Sequence, residues 1–554
     1  MFTSIKLLLL IHLVIGYENP CVKIKLGVLR GTWEKSAKGR IYASYQGIPY
    51  ATPPVGKYRF VETSKMKPWA GVWNANRPPT LCIQFDPFEK AVKGQEDCLY
   101  LNVYVPRLNS NALLPVIVFV HGGAFLFGGS NIYGPERLMD RNLVIVTMNY
   151  RLGPMGFLST GDRVVSGNAG LKDQNLALLW VKENIRAFRG NPDNVILYGS
   201  SAGAASVHYH YLSPQSQGKF NRGILSSGSA LAPWALQVNP SENAKILSSL
   251  VGCPSDNSQA MVDCLRSRPA EMIARAQGDM LKWRAALFTQ FTPVVEPKSC
   301  SSFIDKHPYE STKTGSFAKV PMLVSVTSDE GLYPAAFYQS DPTILPLLEA
   351  KWTELSSYIF NYYETLPVSR RPEVAAKIKA FYFNNRAISQ ETFPELVKAL
   401  GDRNFYVNVG DSVQLFAAKG SEKVYMFQYS FRGEKSFSDF FSEDDTNFGV
   451  SHSDDLFRIF KVPNFELNRP DDLAITNILI NIIYTFSTTG QPTVPNNTIV
   501  WPSVTPGPKI NLLEISSPTD IKMINVTNFG NKSFWKSLGL DENEQRSAVK
   551  NTNY

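Results

Sequence analysis

Histidine and cysteine are scarce: six of each occur in 554 residues. No two of them make a CxxC or Cys/His spacing, which excludes a zinc-ribbon or thioredoxin-like reading. There is no apolar run of membrane-spanning length, no Gly/Ser or Pro-rich linker, no low-complexity tract and no internal repeat. Lys and Arg exceed Asp and Glu by only 56 to 48 and are scattered, so no basic stripe exists to track a phosphate backbone. What remains, 44% hydrophobic and 19% charged residues with 37 Gly and 36 Pro, is the profile of a globular protein. The length suggests several domains, but without linkers one large domain with long insertions fits better.

The N-terminus carries Lys6, then Leu7 to Ile15 without a formal charge, then Gly16 and a polar stretch. That order reads as a secretory signal peptide over residues 1–16. The tail from Leu540 to Tyr554 is polar, so no membrane anchor is expected. Export accords with three glycosylation sequons, at Asn496, Asn525 and Asn531, and with cysteines used for stapling. Six cysteines allow many pairings, of which local ones close short loops.

β-branched apolar runs that end in turn residues alternate with helical patterns. Leu114 to Val120 ends at His121-Gly122-Gly123, and Leu143 to Met148 ends at Asn149-Tyr150. Leu171 to Phe188 reads as a helix with Leu176, Leu179, Trp180 and Val181 on one side, stopped by Gly190. Asn194 to Tyr198 is the next strand, followed by Gly199 and a small-residue helix from Ala202 to Ser206. Gly223 to Ser226, Met322 to Val326 and Val424 to Tyr429 continue the sheet. The predicted fold is α/β, a large mostly parallel sheet covered on both faces, with function sought where strands end.

At one such end stands Gly199-Ser200-Ser201-Ala202-Gly203, a G-x-S-x-G between strand and helix. A serine on so tight a turn is strained, exposes its Oγ, and needs glycine-sized neighbours two residues before and after. It also needs a base, and elimination among the histidines leaves His452. His12 falls in the signal, His121 in a Gly loop, His208 and His210 on the helix after the turn, and His307 before Pro308. A carboxylate must orient the imidazole, and the order serine, acid, histidine leaves Asp329 and Glu330 nearly even. Backbone N–H groups for an oxyanion are offered by Gly123, Ala124 and Ala202. Phe125, Phe127, Trp234, Phe288 and Phe291 are candidate pocket walls.

With these residues in hand, the chain resembles the type-B carboxylesterase and cholinesterase family. Phe188-Arg189-Gly190 with Val195, Leu197 and GSSAG is similar to its elbow signature, and Glu96 to Asn102 (EDCLYLN) to its second signature. Gln46 to Ala51, Pro53, Pro54, Asn149 to Arg151 and Gly449 to His452 extend the likeness along the chain. Within the family it looks most like secreted insect carboxylesterases of the venom type. The resemblance implies an α/β-hydrolase fold, a triad of Ser201, Glu330 and His452, and disulfides Cys82 with Cys98 and Cys253 with Cys264. Departures bear on substrate. Ser200 stands where cholinesterases carry Glu and juvenile hormone esterases usually Gln, and Ile83 to Asp97 holds no Trp, which disfavours acetylcholine.

The expectation is a secreted catalytic domain over residues 17–554 that hydrolyses a small-molecule ester with no metal or cofactor. A monomer and a dimer are both left open. The rival is a catalytically silent ligand-binding or adhesion protein on the same fold.

Overall fold

Leu114 to Val120 is apolar at nearly every position, because both faces of the strand are covered. Val116, Val118 and Val120 enter one hydrophobic core and Ile117 and Phe119 a second. The same alternation holds for Val195 and Leu197 against Ile196 and Tyr198. The computed structural model describes residues 18–283, 286, 291–420, 422–495, 499–540 and 542–543. The signal-like segment 1–16, Phe288 and Asn496 lie outside them.

Among the described residues the main sheet has eleven strands. In chain order they are β1 (Thr32–Lys35), β2 (Ile41–Pro49), β3 (Tyr100–Pro106), β4 (Leu114–Val120), β5 (Val144–Met148) and β6 (Gly190–Ser200), then β7 (Arg222–Ser226), β8 (Met322–Thr327), β9 (Val424–Tyr429), β10 (Lys509–Ile515) and β11 (Ile521–Thr527). Their spatial order is β11-β10-β9-β8-β7-β6-β4-β5-β3-β2-β1. The strands from β4 to β10 pair in parallel; β1, β2, β3 and β11 are antiparallel additions at the two edges. After β4 the chain crosses to β5 on one side, and after β6 to β7 on the other. The C-terminal ends of β4 and β6 therefore flank a point where the connections diverge, and the two loops there bound a crevice.

The helix after β5, α1 (Ala169–Asn184), is buried on more than one side. Leu176 and Leu179 are only half-buried, while Lys172 and Asp173 are buried in ion pairs with Glu296 and Arg151 at 2.8 and 2.7 Å. The apolar stripe expected from periodicity is thus widened by charges that a partner satisfies. The helix also stops before Gly190, at a 3-10 turn closed by left-handed Arg189, and Gly190 already pairs with Leu114 as the start of β6. The helix after β6, α2 (Ala202–Leu212), is buried at every residue.

Cys82 and Cys98, and Cys253 and Cys264, are joined as disulfides across 16 and 11 residues. Cys21 and Cys300 are free and exposed. Asn525 is exposed on β11; Asn531 is half-buried and donates its Nδ2 to Asp402 Oδ2 at 2.8 Å.

Candidate active site

Between β6 and α2 the chain turns within one residue. Ser201 has φ 58° and ψ −122°, a conformation that costs of order 1–3 kcal/mol and persists only where neighbours hold it. They do: Ser201 N–H donates to Ser226 O at 2.8 Å, and Ala205 N–H to Ser201 O at 2.9 Å. A Cβ on Gly199 would run into the Gly203 carbonyl, and one on Gly203 into the Val120 carbonyl at the end of β4. The two glycines of the motif are required by close backbone approach. Ala202 is the first residue of α2, so its N–H has no partner inside the helix.

The loop after β4 faces this turn. Gly123 has φ +104°, and a Cβ there would strike the Phe127 carbonyl. Ala124 and Phe125 are also left-handed, at φ 53° and 60°. Among the described residues the N–H groups of Gly123, Ala124 and Ala202 donate to nothing. His121, buried and pushed down to about 4 by that burial, is neutral at physiological pH. Its Nδ1 lies 2.8 Å from Gly122 O. Because C=O and N–H of a peptide point opposite ways, fixing Gly122 O fixes the Gly123 N–H on the other side.

Behind the turn, β8 and β9 deliver a carboxylate and an imidazole. Glu330 is fully buried. Its Oε1 accepts from Ser227 Oγ at 2.5 Å and Thr327 N–H at 2.8 Å, and its Oε2 lies 2.5 Å from His452 Nδ1. Asp329, next to it, points elsewhere: Oδ2 accepts from Val450 N–H at 2.9 Å and Ser328 Oγ at 2.7 Å. It clips the histidine loop, together with the bond from Asp329 N–H to Val450 O. Of the two acids left even by spacing, only Glu330 meets the imidazole. His452 Nε2 is buried without a hydrogen-bond partner among the described residues, and His452 and Ser201 line the same cavity. An imidazole whose Nδ1–H is held by a carboxylate keeps its Nε2 lone pair free, the state a general base requires.

That cavity has an empty volume of about 480 Å³ with the open solvent at its mouth included. Gly123 and Ala124 border it too, and its aromatic walls are Phe127, Tyr133, Tyr333, Phe437 and Phe441. Of the wall residues expected from sequence, Phe127 is there. Phe125 and Trp234 sit in the core beside Phe157 and Phe405, and Phe291 is wholly buried. Phe437 and Phe441 lie one turn apart on α3 (Phe437–Ser442), a spacing visible in the sequence that says nothing of what the helix covers. The histidines set aside are structural. His208 contacts Thr312 Oγ1 and accepts from Ala230 N–H, while His210 bonds Ser216 and Gln174. Burial pushes both down to about 3.

A model of the carboxylesterase family matches residues 18–535. The chain is 42% identical over 534 residues to venom carboxylesterase-6 of Apis mellifera, covering 95% of this chain and 96% of that protein. It is 39% identical to a carboxylic ester hydrolase of Bombus ignitus, covering 98% of each, and 35% identical to juvenile hormone esterase of Tribolium castaneum, covering 92% of this chain and 88% of that one. The crystal structure of juvenile hormone esterase from Manduca sexta, with OTFP covalently attached, superposes with a TM-score of 0.82 at 27% identity, over 94% of this chain and 99% of that one. Fold, strand-end crevice and relatives agree: the chain belongs to the carboxylesterase family and is a carboxylic ester hydrolase with the α/β-hydrolase fold.

Proposed function

We propose that Ser201, His452 and Glu330 form the reacting group of this hydrolase and that its substrates are small, uncharged, hydrophobic esters. Ser201 Oγ attacks the ester carbonyl carbon while His452 Nε2 takes its proton. The oxygen that becomes negative is received by the N–H groups of Gly123, Ala124 and Ala202 at the N-terminus of α2. The C–O bond to the alcohol breaks as Nε2 returns the proton to it, leaving Ser201 acylated. Water, deprotonated by the same nitrogen, then releases the acid. The observation that carries this reading is the 2.5 Å contact of His452 with buried Glu330 behind a cavity that Ser201 borders. His452 Nε2 has no partner among the described residues, and the mechanism requires the Ser201 hydroxyl to reach it once substrate is bound.

The walls support the substrate class. Among the described residues no Asp, Glu, Lys or Arg lines the cavity, which there offers aromatic surface without a counter-ion. In a panel of aryl acetates, aliphatic acetates and choline esters, uncharged esters are expected to lead in kcat/KM. Preference for the cationic ester would defeat the assignment. Gly123→Ala is expected to lower kcat at least ~10²-fold on the best ester, because the side chain displaces a loop that holds two of the three donors. Wild-type turnover in that variant would remove the loop from the mechanism.

Secretion belongs to the same proposal, supported by the signal-like N-terminus, and one relative is named for venom. Export through a glycosylating pathway is expected to leave a glycan on Asn525, whose side chain is exposed. Asn531, whose amide is bonded to Asp402, is expected to stay bare. Peptide mass mapping of the secreted protein decides; the reverse pattern contradicts it.

A further inference from the structure

Another buried carboxyl group lies beside the site and touches neither Ser201 nor the imidazole. Asp454 is 2% exposed. Its Oδ2 accepts from Ser451 N–H at 2.8 Å and from Ser436 Oγ at 2.7 Å, and its Oδ1 from Phe437 N–H at 2.8 Å. The first donor is the residue before His452. The other two are the start of α3, whose Phe437 and Phe441 form part of the cavity wall.

Both carboxyl oxygens of Asp454 are engaged, and an amide in their place would turn an NH2 toward an N–H or O–H. Burial is the larger effect and pushes the Asp454 carboxyl up to about 7, against the three bonds and the Arg458 guanidinium, which favour its charged form. A six-residue helix has little stability of its own, so the site of α3 is set by its anchors. One anchor is the capping box of Ser436 and Asp439; the other is Asp454. The wall also leans on the base through ring contacts, Phe441 to Tyr333 at 5.4 Å and Tyr333 to His452 at 5.5 Å.

We propose that Asp454 is a positioning residue and specificity determinant. By tying the histidine loop and the Phe437/Phe441 wall to one carboxylate, it sets their separation and so decides which esters reach the base in register. The inference rests on the reading of Ser201 and His452 as the reacting pair.

The test uses the full-length enzyme and two series of esters, phenyl esters of increasing acyl length and acetates of increasing alcohol size. Asp454→Asn is expected to lower kcat on phenyl acetate about tenfold through the loop. It is also expected to shift the kcat/KM ratio of the largest to the smallest ester at least about threefold in one of the two series. Ser436→Ala, which removes the hydroxyl donor on the wall side together with the cap that accepts from Ser438 N–H, is expected to move that ratio in the same direction with a smaller loss of kcat. Losses that run in parallel across both series, leaving the ratios constant, overturn the proposal by making Asp454 a merely structural group. If Asp454→Asn does not fold, Ser436→Ala decides alone, and unmoved ratios overturn it. Ser201→Ala in the same assay separates the two claims. Turnover that survives it sinks the reading of the reacting pair, whereas lost turnover beside unmoved ratios sinks only the role of Asp454.

Discussion

Ser201→Ala is expected to lower kcat on an aryl acetate by ~10⁴ to 10⁶, with the melting temperature held or slightly raised. The loss is large because the substitution deletes the atom that would be acylated. Only the binding surface and the N–H groups of Gly123, Ala124 and Ala202 then act on the ester. Stability is spared because alanine occupies the same strained backbone as serine, at φ 58°, and the bonds to Ser226 and Ala205 are main-chain bonds that any residue makes. The Ser201 hydroxyl also gives up no hydrogen bond recorded among the described residues. Turnover and thermal unfolding measured on one preparation check both halves. A variant within tenfold of wild type would move the nucleophile elsewhere.

Glu330→Gln is expected to cost ~10³ to 10⁴ in kcat for a reason read directly from the contacts. Glutamine has one acceptor oxygen where glutamate has two. In this site Ser227 Oγ and Thr327 N–H both donate to Oε1, so the amide oxygen is retained there and the NH2 is turned toward His452 Nδ1. A donor facing Nδ1 forces the proton onto Nε2, the nitrogen that must accept from Ser201, and the base is lost with the geometry intact. Asp329→Asn provides the contrast. It weakens the clip on Val450 and is expected to change activity far less. Equal losses in the two variants would contradict the assignment of the acid. Because the serine and its base act as one unit, Ser201→Ala combined with Glu330→Gln is expected to be no slower than Ser201→Ala alone.

Much of the fold was legible because its signals are local. Leu114 to Val120 and Val424 to Tyr429 coincide with β4 and β9, since a run buried on both faces must be apolar throughout. The G-x-S-x-G turn was legible because the backbone approach of Gly199 to Gly203, and of Gly203 to β4, leaves room for no side chain. The helix over residues 169–184 was read less well. Its apolar period was diluted by Lys172 and Asp173, which look solvent-directed until Glu296 and Arg151 arrive from distant segments. The cavity walls were read least well. Aromatic residues favour any buried surface, so composition does not distinguish Phe125 and Trp234 in the core from Tyr333, Phe437 and Phe441 around the cavity.

Residue types, their order and the strand-to-helix turn are determined by the sequence itself, and with them the α/β class and the choice of Ser201 and His452 as candidates. Whether Glu330 or Asp329 faces the imidazole had to wait for the tertiary structure or for a likeness to other chains. The two residues are adjacent, and direction is set by what each oxygen finds: Ser227, Thr327 and His452 around one, Val450 around the other. The same holds for Asp454, whose three donors come from two loops that only the folded sheet brings together. Local pattern encodes what a residue is able to do; long-range packing selects the partner with which it does it.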